Sequence, residues 1–295
     1  MANRVLDRLL PVLVVLAAAA DRDLLDGAHG HAGPAAAWGC CARPPDRDGT
    51  IRPVTDKPAV PVAHAVSVLT LLVGGALVSA LVSGTAETYE QVQSSSGIAS
   101  FDQPVLGWMV RHRSTISDTL ITLFTNLGSR TWMPVIATVA VLALARLWRT
   151  WRPVLLMAAA TLGSTVMTSA AKVLTARARP PQQLAVPPYE STPSFPSGHA
   201  LNATVVALLL AYIAVRHLRQ HWASTLAVVG ALAFAVAMGL SRVYLGHHWL
   251  TDVIAGWGTG AAWAGLVVAA DQMSLRVRDR RRQRVADPQV RTATG

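Results

Sequence analysis

Pro193-Ser194-Phe195-Pro196-Ser197-Gly198-His199 interrupts one long apolar region and opens the next. Pro196 fixes φ and stops whatever precedes it, Ser197 is a good N-cap, and Gly198 lets backbone come close to a ligand. Residues 200–215 read as a buried helix, so its first free N–H groups and positive dipole end point at the Ser-Gly-His turn and suit an anion there. His199 then stands beside a phosphate-sized site. Pro-Ser-Gly is also common loop chemistry, and a His at a helix start is often only a cap, so the context of the turn has to decide.

That context is apolar. Of 295 residues, 52% are hydrophobic and 14% charged, against about a quarter charged in a soluble globular chain; mean hydropathy is +0.38. Apolar runs fall at 59–82, 131–147, 153–173, 200–215, 223–240 and 253–270, each near the ~20 residues that span a bilayer core. The pattern predicts an all-α integral membrane protein, a six-transmembrane-helix bundle, with no strand pattern and no internal repeat.

A formal net charge of +10 could suggest nucleic acid, but the arginines are placed as a topology signal. Arg146, Arg149 and Arg152 lie between the second and third runs, Arg216 and Arg219 between the fourth and fifth, and Arg276, Arg278, Arg280, Arg281, Arg282 and Arg284 after the sixth. By parity these segments share one side. The positive-inside rule makes it cytoplasmic, giving a multi-pass cell-membrane protein with both termini inside. The basic tail is then an orientation signal attracted to anionic lipid, and with no nucleic-acid motif in the chain a DNA or RNA partner is not expected.

Three regions follow from this division: a flexible N-terminal arm of unassigned role at 1–58, a membrane domain at 59–275, and a basic cytoplasmic tail at 276–295. Residues 9–20 resemble the apolar core of a signal peptide, but cleavage there would turn the arginine-rich loops outward, so a cytoplasmic or surface-lying segment is expected. Cys40 and Cys41 are adjacent, which disfavours a mutual disulfide, and no ligand-like spacing surrounds them. His29 and His31 read as solvated loop histidines. Between 84 and 130, Trp108, Val110, Ile116, Leu120, Ile121, Leu123 and Phe124 interleave with charges, predicting amphipathic surface helices in the first extracytoplasmic loop; packing against the bundle explains the same pattern. In the last run, Gly256, Gly258 and Gly260 predict close helix contact, and Trp257 and Trp263 interfacial anchoring.

Two further clusters flank these runs. Lys172 to Pro180 puts Lys172, Arg177 and Arg179 on the outer side, against the charge rule, although headgroup snorkelling accounts for any one of them. Residues 241–252 contain Arg242, His247, His248 and Asp252. His248 and Asp252 are four apart, so on a helix the carboxylate could hold one imidazole nitrogen. An imidazole oriented by a carboxylate among arginines is what a nucleophile toward phosphorus requires, while two histidines at a helix start also serve as interfacial polar groups. Parity brings both clusters to the level of the Ser-Gly-His turn, where Lys172, Arg179 and Arg242 would match three phosphate oxygens.

These motifs resemble the type 2 phosphatidic acid phosphatase and haloperoxidase superfamily, whose signatures Lys-x6-Arg-Pro, Pro-Ser-Gly-His and Ser-Arg-x5-His-x3-Asp stand complete at 172–180, 196–199 and 241–252. The resemblance implies a metal-independent, cofactor-free phosphatase working through a phosphohistidine. In that scheme His248 attacks phosphorus, Asp252 orients it, and His199 protonates the leaving oxygen. Lys172, Arg179, Ser197, Gly198 and Arg242 hold the phosphoryl oxygens. His247 is not the motif histidine, and Arg177 and Tyr244 occupy variable positions. His248 must be neutral and His199 protonated, so a bell-shaped pH profile is expected. The expected substrate is a lipid phosphate such as phosphatidic acid, or alternatively a polyprenyl diphosphate carrier used in envelope synthesis. Transfer to another lipid, a vanadium haloperoxidase and a non-catalytic lipid-phosphate binder are the remaining readings.

Overall fold

The computed structural model describes residues 62–286; the expectations for the N-terminal arm, with Cys40, Cys41, His29 and His31, lie outside the described residues, as does the end of the tail. The described residues form helices α1 (Val62–Ser94), α2 (Asp102–Arg111), α3 (Thr115–Asn126), α4 (Trp132–Trp148), α5 (Arg152–Thr175), α6 (Gly198–Val215), α7 (His221–Tyr244) and α8 (Leu250–Ala286), and no strand. The described part of each of the six apolar runs lies in a helix, apart from Thr131 just ahead of α4. By length and hydropathy α5, α6, α7 and the 250–278 part of α8 suffice to cross a bilayer, and α4 is a shorter apolar helix of 17 residues.

Local chemistry sets the boundaries. Pro153 sits in the first turn of α5, where its missing N–H costs nothing, and the left-handed residues Arg149 and Ala176 end α4 and α5. Ser114 and Ser117 form a capping box on α3. Ser197 caps α6.

Helix α6 is the hub, with 67% of its span buried against 22% for α5 and α7. Because lipid tails are as apolar as leucine, association of such helices depends on close packing rather than transfer from water, and small residues permit it. Thus a Cβ at Gly256 would lie 2.8 Å from the Ser197 carbonyl, and one at Gly260 2.7 Å from that of Leu201, so α8 can touch the α6 backbone only through glycine. This contact also presses the start of α8 onto the Ser-Gly-His turn, where Ser197 N–H donates to the Asp252 carbonyl (3.0 Å).

One expectation changes. Trp257 and Trp263 fill the spaces over Gly239 and Gly163 and donate to the Ala235 (2.9 Å) and Ala160 (2.8 Å) carbonyls. An indole N–H inside a bundle needs an acceptor, and a helix carbonyl left open beside glycine provides one. Helix α8 runs on into the basic tail expected from 276, reaching Ala286 through residues with good helix propensity. Between α1 and α4 lie α2 and α3; Ile116, Leu120 and Leu123 are exposed, while Asp102 and Leu106 are buried.

Candidate active site

The end of α5, the start of α6, the end of α7 and the start of α8 meet at one end of the bundle. There a cavity of about 670 Å³ is lined by Lys172, Gly198, His199 and His248, together with Glu190 and Arg130. All three motifs therefore contribute to one space.

His248 and Asp252 are buried, at 1% and 0% side-chain exposure. Asp252 lies in the first turn of α8 and accepts the Trp249 N–H (2.9 Å), so the helix start itself fixes the carboxylate. His248 Nδ1 faces Asp252 Oδ2 at 3.3 Å, and Arg179 Nη1 donates to Nε2 at 3.2 Å. A guanidinium only donates, so this network puts the proton on Nδ1 and the lone pair on Nε2. Burial, followed by Arg179 and Arg242, pushes the His248 imidazole well below its usual pKa. Neutral, with Nε2 basic and Nδ1–H held by a carboxylate, is the state a nucleophilic imidazole needs.

Behind the pair stands a cluster that the motifs do not name. Ser194 Oγ donates to Asp252 Oδ2, and Arg177 binds Asp252 Oδ1 through one nitrogen and Asp102 Oδ2 through the other (2.8 Å). Asp102 in turn accepts the Thr251 N–H (2.9 Å) and hydroxyl (2.7 Å). Helix α2 is thereby tied to the His248–Asp252 pair through one arginine. Tyr244, the other variable-position residue, bonds Ser117 and Asp118 and joins α7 to α3.

The cationic wall differs from expectation in two respects. Lys172 lines the cavity, its Nζ bonded to the Pro193 carbonyl and to Thr192 Oγ1 (3.3 Å). Arg179 and Arg242, however, are bridged by Glu190, with Arg179 Nη2 2.7 Å from Oε2 and Arg242 Nη2 on Oε1. Burial opposes the charge on Glu190, but Arg242, aided by Arg179, holds its pKa down to about 2. The second difference is Ser197, which is fully buried with its hydroxyl capping Ala200 N–H (3.4 Å) rather than lining the cavity. His247 turns away as its spacing implied, bonding Val186 O (2.6 Å); burial, then Arg242, lowers its pKa to about 4.

Glu190 had a signal in the sequence, being the single acidic residue between Asp118 and Asp252. Asp102 had none, since it read as one of several acids balancing loop arginines.

Cationic side chains and a carboxylate-backed imidazole thus meet at a cavity at one end of an apolar helical bundle. Residues 151–276 match the PAP2 superfamily, as the three motifs led one to expect. Phosphatidylglycerophosphatase B of Bacillus subtilis is 40% identical over 95 residues, which cover 31% of this chain and 46% of that protein. Undecaprenyl-diphosphatase of Sulfolobus acidocaldarius is 40% identical over 68 residues, covering 23% and 29%. The aligned region thus spans less than half the length of either relative. A crystal structure of a transmembrane PAP2 type phosphatidylglycerolphosphate phosphatase from Bacillus subtilis superposes with a TM-score of 0.62 at 26% identity, covering 66% of this chain and 96% of that one.

Proposed function

We propose that this protein is an integral-membrane phosphatase that removes the terminal phosphate of a lipid phosphate through a phosphohistidine. The observation that carries the reading is the single cavity onto which Lys172, Gly198, His199 and His248 open. His248 Nε2 attacks phosphorus as the bond to the lipid oxygen breaks, and His199 gives that oxygen a proton. Water, deprotonated by His199, then attacks the phosphohistidine and releases inorganic phosphate and neutral His248. Lys172, Arg179, Arg242 and the Gly198 N–H hold the phosphoryl oxygens as negative charge shifts between them, with Glu190 yielding its place between the arginines to the phosphate. Ser197 supports this wall as a helix cap.

All six apolar helices span the bilayer in this reading, α4 near the lower length limit and α1 with its first half. The arginine-rich ends of α4, α6 and α8 lie in the cytoplasm and the cup opens on the opposite face. A polyprenyl diphosphate is the second substrate reading, favoured by the surplus of cations at the cup.

The test is phosphate release from phosphatidic acid, phosphatidylglycerophosphate and a polyprenyl diphosphate in detergent with chelator, for the parent and His248→Ala. The parent is expected to retain activity with chelator and the variant to lose at least about 10³-fold. Parental turnover in the variant would remove His248 as nucleophile, and abolition by chelator would contradict a metal-free route.

A further inference from the structure

We propose that Arg130 forms a second anion subsite in the same cavity, which reads a second phosphate group on the lipid beyond the one removed. The assignment rests on the phosphatase reading above and narrows its substrate class.

Arg130 lies in the turn between α3 and α4 and lines the cavity with Lys172, His199 and His248. The turn is pressed against the site. A Cβ at Gly128 would fall 2.5 Å from Met238 Sδ and 3.0 Å from His199 Cδ2, so the backbone runs against both side chains here, and Arg130 reaches the cavity wall two residues later. The turn also opens α4, a helix of 17 residues, whose first N–H groups carry partial positive charge.

The charges around the cup give the independent reason. Arg177 is paired with Asp102 and Asp252, and Arg179 and Arg242 share Glu190. Among the described residues Arg130 has no carboxylate within ion-pair distance, and it is exposed where it lines the cavity. With Glu190 displaced by the phosphate as above, Lys172, Arg177, Arg179 and Arg242 face only Asp102 and Asp252, and Arg130 raises the cationic surplus from two to three. A phosphate monoester neutralises at most about two of these charges. The third is complemented by a substrate whose leaving group is itself anionic, either a diphosphate or a phosphomonoester joined through a short polyol to a phosphodiester. Thr165, Thr168 and Ser169 on α5 give the cavity polar walls suited to such a connecting group. Phosphatidic acid, whose leaving group is a neutral diacylglycerol, leaves Arg130 unused.

The experiment compares kcat/KM for a polyprenyl diphosphate, phosphatidylglycerophosphate and phosphatidic acid in the parent, Arg130→Gln and Arg130→Lys. Arg130→Gln is expected to lower the preference for a two-phosphate lipid over phosphatidic acid about tenfold, as for one charge-assisted contact, with partial recovery in Arg130→Lys. A fall confined to the diphosphate or to the polyol diester tells which spacing Arg130 reads. An equal fall on all three substrates, or none, overturns the subsite. The thermal shift given by inorganic pyrophosphate relative to orthophosphate tests the same contact without turnover: Arg130→Gln should erase the extra shift from pyrophosphate. If pyrophosphate selectivity depends on Arg130 while no lipid is hydrolysed, the phosphatase reading fails and the subsite stands; equal shifts in parent and variant sink the subsite alone.

Discussion

Two clusters of charge are set into the bundle at opposite ends of α5, about 30 Å apart by helical rise. At one end Arg152 binds Asp271 (2.6 and 2.8 Å), whose other oxygen accepts the Tyr212 hydroxyl (2.8 Å). Arg152 and Asp271 form a closed ion pair there, with Arg216 over the Tyr212 ring; neither Arg152, Asp271 nor Tyr212 lines the large cavity, and the cluster pins α5, α6 and α8 together. At the other end the ion pairs leave cationic surplus facing about 670 Å³ of open space. A charge inside an apolar bundle is therefore no sign of a site by itself, because a closed pair serves as a clamp. An incompletely neutralised cluster on a cavity has binding capacity left over, and that is the physical basis for assigning function to one end only.

The sharpest way to break this contrast is Asp252→Asn. The amide no longer presents a carboxylate to Nδ1–H, so turnover should fall about 10³-fold or more while the folded protein survives in detergent. Parental turnover would make the Asp252 cluster another clamp. At the far end, Arg152→Met removes the ion-pair partner of Asp271. It should cost about 2 kcal/mol, discounted from the value for a fully buried pair because Arg152 is 29% exposed. Read as a lower Tm with kcat within about twofold of parental, it would sharpen the contrast; a large loss of kcat at unchanged Tm would break it.

The smallest effect is a pH dependence. The Glu190 carboxyl has a pKa of about 2 in the fold against 4.5 as a free group. Its ionisation therefore stabilises the protein fully above about 4.5, and that contribution is lost as pH falls from there toward 2. Glu190→Gln removes it, so the acid unfolding curves of parent and variant should differ in slope only across that window. His248 and His247, both lowered, penalise the fold on protonation as pH falls below about 6.5, but they do so in parent and variant alike. Curves that stay parallel from 4.5 to 2 would show that Glu190 does not hold the arginines in solution.

The residues legible in the sequence were those fixed by short-range spacing. His248 and Asp252 share a helix turn, Ser197 caps the helix that carries Gly198 and His199, and the alternation of apolar runs put all three motifs at one end. Glu190 and Asp102 were not legible in this way. Each acts across more than fifty residues, on Arg242 and on Arg177 and Thr251, and no local period records such a partnership. The same holds for Trp257 and Trp263, because an indole looks alike in sequence whether its N–H meets headgroups or a helix carbonyl beside glycine.

The amino-acid order by itself determined which segments are apolar helices, where they start and stop, and which reactive side chains come at their ends, because these depend on backbone sterics, capping and hydropathy within a few residues. Only the tertiary packing decided which cations are neutralised by a carboxylate and which face open space. Electrostatic pairing is a property of distance in three dimensions: Arg152, Arg177 and Arg130 are the same residue type, and only the fold makes one a clamp, one a brace behind Asp252, and one a charge on the wall of the cup.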